Sequence, residues 1–438
     1  MKLEKPKIIT EISDHTREIR TEAEIIKEKV INWLYIDEAP KRKYIEWITI
    51  DKASSKDLDD WIRAEKTKNW YSVFVSIADV SEIIKPWTKL DYEAYSRSTS
   101  VYTNQHVYHM FPSEISTDLA SLNDQTKRYT LTTRIDLDKD FKVNNTEIFE
   151  AIFKNRKRFN YEEFNKQFNN YWEEYHHELN LFHKIAKGLF KNRISIWWKN
   201  DFKEKVTLNL DNSNTSNNSI ASFIIQEFAI LSNIENAKLN YKEKINWIFR
   251  LHMPELKWLI TSNKPEKRAF YSYNNWYHYW LAENFYWHFT SPIRRYADLI
   301  NHRQQKSWLR DKNSEIYTRN NIREIVMNIN SAIEKTITLE KEHNKEITLK
   351  QVQRFLKKLS MSNYENISSI SWQHFSNLIS YLIKFPNYLN PKIEEEIIYR
   401  INYDLLDQKS IARLVSSPNE IIELINIKKI LKEKIENK

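Results

Sequence analysis

Four aspartates fall within twelve residues of this chain: Asp51, Asp57, Asp59 and Asp60, in the string TIDKASSKDLDD at 49–60. In an extended or tightly turned segment, that spacing can bring several carboxylate oxygens toward one point. Like charges so placed repel, and they coexist only with help from protons or cations. Hard divalent ions with oxygen ligands meet that need, and Mg²⁺ held partly through a substrate phosphate is the common case. Two such ions about 4 Å apart can hold an attacking hydroxide and stabilise the leaving oxygen of an in-line phosphoryl displacement. A solvated acidic turn or a calcium loop uses the same residue types, although the spacing and central glycine of an EF-hand are missing here.

The elements that must position these carboxylates are partly legible. Tyr71, Val73, Val75 and Ile77 alternate with smaller or polar residues up to Ala78-Asp79, which predicts a strand; Leu131, Thr133, Ile135 and Leu137 repeat the pattern. The segments around residues 97–102 and 110–114 read as irregular. A helix is expected around residues 21–34, on the apolar face of Ile25, Ile26, Val30 and Ile31. From about Tyr161 the chain becomes helical in character. Residues 211–219 read as a polar loop, then Ile220, Phe223, Ile224, Phe228 and Leu231 follow helical spacing. Pro292 is expected in the first turn of a further helix. The whole predicts an α+β fold: a mixed or antiparallel sheet flanked by helices, with a helical C-terminal appendage. The expected divisions are a charged lead-in at 1–46, a catalytic domain at 47–345 and a helical region at 346–438.

Composition narrows the class. Lys and Arg number 68 against 59 Asp and Glu, a formal net charge of +9 that favours a polyanionic partner. The chain has no Cys, which excludes disulfides, Cys-ligated zinc and thiol catalysis. The first twenty residues are polar and mixed in charge, and no long apolar run predicts a membrane span. A cytoplasmic, monomeric enzyme without membrane association is the plain expectation. Average usage would supply on the order of 30 glycines; the chain has one, Gly188, alongside 15 tryptophans. Tight turns therefore lack the residue best suited to left-handed backbone.

The acidic string is followed in order by YSVFVSIADVSEIIKPWTKLDYEA at 71–94, RSTSVY at 97–102, MFPSEIS at 110–116, ASLN at 120–123 and HFTSPIRRYADLINHR at 288–303. Together these resemble the catalytic domain of the ribonuclease II/ribonuclease R (RNB) family, over about residues 45–345. The resemblance implies that Asp51, Asp57, Asp59 and Asp60 hold Mg²⁺, two ions in the expected arrangement, with Mn²⁺ able to substitute. It implies that Arg294 neutralises the scissile phosphate, an interaction suited to the guanidinium fork. Arg295 beside it is a further RNA contact. Tyr161 and Tyr102 would pack against nucleotides, a sequence-tolerant mode of binding. Arg156, Lys157 and Arg158 could reach phosphates, while His288 and His302 are expected in structural hydrogen bonds. The activity implied is hydrolysis of single-stranded RNA from the 3′ end to nucleoside 5′-monophosphates. The alternatives are a catalytically weakened RNA-binding protein of the same fold, or a phosphodiesterase acting on DNA or short oligonucleotides.

Three departures accompany the resemblance. The family's flanking cold-shock and S1 modules are not recognisable in 1–46 or after 345, which implies a weaker grip on RNA. Glu227 stands where a Glu-Glu pair is expected, but the first member is Gln226. Trp61, Trp70, Trp87 and Trp280 occupy positions where the pattern favours small residues or glycine. We expect many of these tryptophans to mark UGA codons that the source organism reads as glycine, the alternative being genuine substitution in a divergent, AT-rich lineage.

Overall fold

The computed structural model describes residues 13–34, 42–68, 70–103, 106–199, 218–241, 245–253, 268–312, 314–361, 364, 367–417 and 425–436. The chain forms two units, Met1–Ile337 and Thr338–Lys438. In the first, α1 (Arg17–Leu34) precedes β1 (Lys43–Asp51), β2 (Asp60–Lys66) and β3 (Tyr71–Ala78). Next come α2 (Val80–Ile83), α3 (Lys89–Arg97), the short pair β4 (Val101–Tyr102) and β5 (Val107–Tyr108), and a π-helical turn at Glu114–Leu119. Two long strands follow, β6 (Lys127–Leu137) and β7 (Val143–Asn160), and then α4 (Tyr161–Asn169), α5 (His176–Lys199) and α6 (Asn218–Tyr241). After the short pair β8 (Phe249–Leu251) and β9 (Phe270–Ser272) come α7 (Tyr296–Arg310) and the long α8 (Arg319–Met361), within which the two units divide.

The expected mixed sheet closes on itself. Its strand order is β1-β2-β3-β6-β7, and a parallel pairing of β1 with β7 completes a barrel whose other pairings are antiparallel. Alternation explains β3 well: Val73, Val75 and Ile77 enter the core, while Ser72 and Ser76 bond Asp136 and Thr132 on β6 at 2.6 and 2.5 Å. Helix α6 buries Ala221, Ile224, Phe228 and Leu231 in the same core as the barrel residues. Of the expected polar loop, 211–217 lie outside the described residues, and Asn218 and Ser219 already belong to α6. The described part of the lead-in is packed against the first unit: His15 Nε2 lies 3.0 Å from the His109 carbonyl oxygen, and Lys27 pairs with Asp118. No helix among the described residues is long and apolar enough to cross a membrane.

The second unit adds α9 (Trp372–Lys384), α10 (Pro391–Asn402), α11 (Gln408–Ser416) and α12 (Ile425–Glu436). It has its own core of Leu378, Ile379, Leu382, Ile393, Ile397 and Leu414.

The four tryptophans behave differently from one another. Trp61 is 1% exposed and stacks on Phe153 at 4.7 Å, and strand alternation turns its indole away from the Asp60 side chain. The Trp61 indole is therefore turned into the core and not toward the acidic site. Trp87 sits at φ 69, the left-handed conformation that suits glycine. Trp70 is exposed in the β2–β3 hairpin and is not left-handed. The Trp280 side chain lies outside what the structure describes.

Candidate active site

The barrel brings both ends of the acidic segment to one rim. Asp51 is the last residue of β1, opposite Asn160 at the end of β7, and Asp60 is the first residue of β2, opposite Ile77. The loop between them is fixed through its backbone. Arg158 donates to the carbonyls of Lys52 and Ser55 at 3.3 and 2.5 Å. Ser121 Oγ donates to the Lys56 carbonyl at 2.9 Å and accepts from Leu58 N–H at 3.0 Å. Leu58, wholly buried, anchors the loop in the core. Arg158 thus acts as a clasp beneath the acidic loop, not as a free phosphate contact.

The segment 291–295 meets this rim from far along the chain. Ile293 N–H donates to Asp59 Oδ1 at 2.9 Å, and Arg294 Nε lies 3.5 Å from Asp59 Oδ2. A terminal nitrogen of Arg294 donates to Ser291 Oγ at 2.7 Å, while its carbonyl accepts from Ser100 N–H and Thr99 Oγ. The guanidinium stays 39% exposed, so it can still meet an incoming anion. Pro292 is not in a helix: the chain makes a turn, Arg295 is extended at φ −138, and α7 begins only at Tyr296. Arg295 turns inward. Its guanidinium donates to the fully buried Asp298 at 2.7 Å, so the arrangement does not present it to a ligand.

Electrostatically Asp51, Asp59 and Asp60 are under-compensated. Burial, then Asp60, with a smaller push from Asp57, raises Asp51 to about 8 against the pull of Arg158 and Arg294. Burial raises Asp60 to about 6 although Arg294 and Arg295 oppose it. Asp59 is pushed well above the carboxylate range by burial, despite Arg294 and the Ile293 N–H. Asp51 Oδ2 is buried with no hydrogen-bond partner. An all-oxygen donor set carrying surplus negative charge and an orphaned buried oxygen fits hard divalent cations. No three of the four, however, bring ligand oxygens within 4.8 Å of one another.

Among the described residues one trio does so, Asp79, Glu82 and Glu150, and it is a different kind of site. Arg42 reaches all three at 3.3, 3.0 and 2.9 Å, Lys306 lies 2.8 Å from Asp79, and Arg310 lies 2.9 and 2.6 Å from Glu82 and Glu150. Despite burial, Lys306 and Arg42 hold Asp79 far below its usual range, and Lys306 heads the groups that bring Glu82 to about 2. Three carboxylates facing three cations need no metal. Sequence reasoning missed this network, because its members are scattered from 42 to 310 with no local pattern.

Tyr102 and Tyr161 both reach the rim. The Tyr102 hydroxyl donates to Asp57 Oδ2 at 3.0 Å while the residue as a whole stays 45% exposed. Tyr161 opens α4 directly after Asn160, whose side chain caps that helix, and it feels the charges of Asp51 and Asp60. His288 Nδ1 lies 2.8 Å from the Tyr271 hydroxyl, and burial holds its imidazole well below the ordinary range. His302 Nε2 donates to the Phe289 carbonyl at 2.7 Å. Glu227 is buried in an ion pair with Arg193. A concavity of about 730 Å³, lined by Lys142, Asn145, Glu235 and Lys238, lies by the β6–β7 turn, at the barrel end away from the aspartates.

A family model described as the RNB domain matches residues 42–267 and 260–311. Ribonuclease R of Buchnera aphidicola subsp. Schizaphis graminum is 30% identical over 314 residues, covering 59% of this chain and 43% of that protein. Ribonuclease R of Mycoplasmopsis pulmonis is 26% identical over 391 residues, covering 74% of this chain and 53% of that protein. The chain therefore spans about half the length of these curated relatives. Among solved structures, Mycoplasma genitalium RNase R in complex with ribose methylated single-stranded RNA superposes with a TM-score of 0.63 at 22% identity, covering 77% of this chain and 62% of that one. Yeast Ssd1, a pseudonuclease, superposes at 0.59 with 17% identity, covering 72% and 46%. At these identities the structural likeness concerns the fold.

Proposed function

The chain belongs to the RNB domain family, and from that premise we propose that it is a Mg²⁺-dependent exoribonuclease hydrolysing single-stranded RNA from the 3′ end to nucleoside 5′-monophosphates. The observation that carries the reading is the rim where under-compensated Asp51, Asp59 and Asp60 face the half-exposed Arg294. A merely structural acidic cluster is expected to be charge-balanced, as Asp79, Glu82 and Glu150 are.

In this reading Asp51, Asp57, Asp59 and Asp60 hold the divalent ions. When bound, such ions would supply positive charge to the scissile phosphate and lower the pKa of an attacking water. Arg294 adds a fixed guanidinium whose Nε and terminal nitrogen are already oriented by Asp59 and Ser291. Little reorganisation is then needed as negative charge develops on the phosphate. Tyr102, beside Asp57, and Tyr161, within the field of Asp51 and Asp60, offer rings near the acidic loop, which suits bases of any identity. Discrimination for RNA would come from contacts to the 2′-hydroxyl. A cytoplasmic location and monomeric state accompany this reading.

Product analysis tests it. Chromatography of a Mg²⁺ digest of single-stranded RNA should yield nucleoside 5′-monophosphates, with a DNA of the same sequence left largely intact. Equal turnover of the DNA would favour a broader phosphodiesterase. The non-catalytic alternative draws support from Gln226 and from Glu227, whose charge is consumed by Arg193. It predicts RNA binding with no Mg²⁺-dependent products.

A further inference from the structure

The hydroxyl of Tyr102 donates to Asp57 Oδ2 at 3.0 Å, and the same oxygen lies 4.0 Å from Nδ1 of His109. The two side chains come from one small hairpin, Tyr102 closing β4 opposite Val107 and His109 following β5 directly. They differ in how firmly they are held. Tyr102 is 45% exposed, and an aromatic ring is a surface on which RNA bases stack. The His109 side chain is 18% exposed. Its backbone is pinned on both sides: the carbonyl lies 3.0 Å from His15 Nε2, and the next N–H, of Met110, donates to Ser100 Oγ at 2.8 Å. His109 Nδ1 is nevertheless buried without a hydrogen-bond partner. A buried polar group is rarely left so, because an unmade hydrogen bond is costly. An acceptor that could complete it, 4.0 Å away, is the Asp57 oxygen that Tyr102 already occupies.

We propose that His109 is a positioning residue for Asp57, a second donor whose Nδ1–H takes over the Oδ2 bond when the Tyr102 hydroxyl turns to the substrate. Asp57 then keeps one oxygen tied and the other free for a cation, both with RNA bound and without it. The inference rests on the nuclease reading above, because only a bound substrate calls Tyr102 away. It does not depend on the protonation state of Asp57. It requires only the neutral imidazole tautomer with its proton on Nδ1.

A double-mutant cycle tests it, with Mn²⁺ affinity followed by electron paramagnetic resonance and kcat and KM measured on single-stranded RNA. Tyr102→Phe and His109→Ala should each weaken Mn²⁺ binding by only about 3-fold, since the other donor remains. The double variant should lose roughly 10–100-fold, the usual effect of removing a ligand's hydrogen-bond support, and thus more than the product of the singles. With RNA bound the burden falls on His109 alone. His109→Ala should therefore lower kcat with little change in KM, whereas Tyr102→Phe mainly raises KM. His109→Asn places an amide N–H close to Nδ1, and in the Tyr102→Phe background it should restore binding to within about 3-fold of the Tyr102→Phe single variant. A folded His109→Asn variant that behaves like His109→Ala would overturn the proposal, and so would strictly additive losses. Wild-type protein that binds no Mn²⁺ and cuts no RNA would overturn the nuclease reading and this inference with it. Normal wild-type binding and cutting with additive variants overturns this inference alone.

Discussion

Ile293 and Asp59, 234 positions apart, are joined by a 2.9 Å hydrogen bond from the backbone N–H of the first to the carboxylate of the second. Because the donor is main chain, the bond orients Asp59 without spending a side chain. It also places Arg294, the next residue, against the other oxygen of the same carboxylate. The acidic loop and the 291–295 turn are therefore set in register by one backbone contact.

Arg294 should be irreplaceable by lysine. A lysine ammonium cannot keep both the Asp59 and the Ser291 contacts, since it lacks the planar fork. Steady-state kinetics of Arg294→Lys should show kcat reduced about 10²–10³-fold, in the range for loss of one charge-stabilising donor, with KM little changed. Equal kcat would remove Arg294 from the reaction.

The melting temperature should report the raised carboxylates. A carboxyl whose folded pKa is raised binds its proton more tightly folded than unfolded, so stability falls as pH rises through that range. For Asp51 the range runs from the unfolded value near 4 up to about 8, and Asp59 acts in the same direction. The depressed histidines, such as His278 at about 4, add stability as pH rises, but only up to about 6.5. Between pH 7 and 8.5 the carboxylates act unopposed. Metal-free protein should melt progressively lower across that window, Mg²⁺ should restore the loss, and Asp51→Asn should flatten the curve. A flat wild-type profile, unaffected by Mg²⁺, would contradict this account.

The Asp79–Glu82–Glu150 network should matter for folding and not for metal. Lys306→Met leaves a fully buried carboxylate short of one cation and should cost about 3 kcal/mol by chemical denaturation. Glu82→Gln should leave Mn²⁺ affinity unchanged. A loss of Mn²⁺ binding in Glu82→Gln would mean that this trio, not the four aspartates, holds the ion.

The tryptophans offer a check on the expected glycine decoding. Trp61→Gly removes a buried, stacked indole and should cost about 3–5 kcal/mol. Trp87→Gly should be far milder, because release from the left-handed conformation is worth roughly 1–2 kcal/mol and offsets the lost edge contact with Tyr317. Differential melting of the two variants measures the contrast. Mass spectrometry of protein from the source organism would show directly which residues stand at 61, 70, 87 and 280.

What the sequence disclosed followed local periodicity. Strands β3 and β6 and helix α6 alternate or repeat cleanly, because each has one face in the core. Strand β7 did not declare itself, since Asn155 and Lys157 break the apolar alternation of Ala151, Phe153 and Phe159, where the register with β1 also shifts. The closing β1–β7 pairing joins Asp51 to Asn160, a contact that no local pattern encodes. Among candidate site residues, the four aspartates and Arg294 stood out through ordered motifs. The inward turn of Arg295 toward Asp298 was not, because a charge in a motif says nothing about where its side chain points. His109 was missed for the opposite reason: it carries no motif, and only the fold brings it to Asp57.

The most direct test compares wild type with Asp59→Asn on a single-stranded RNA labelled at its 5′ end, with Mg²⁺ present and binding measured in parallel. Asn retains an Oδ1 to accept the Ile293 N–H, so the variant should fold and bind RNA nearly as wild type does. The account predicts a ladder shortening from the 3′ end for wild type and no cleavage by Asp59→Asn. Cleavage by Asp59→Asn at the wild-type rate, or internal cuts by wild type, would contradict it.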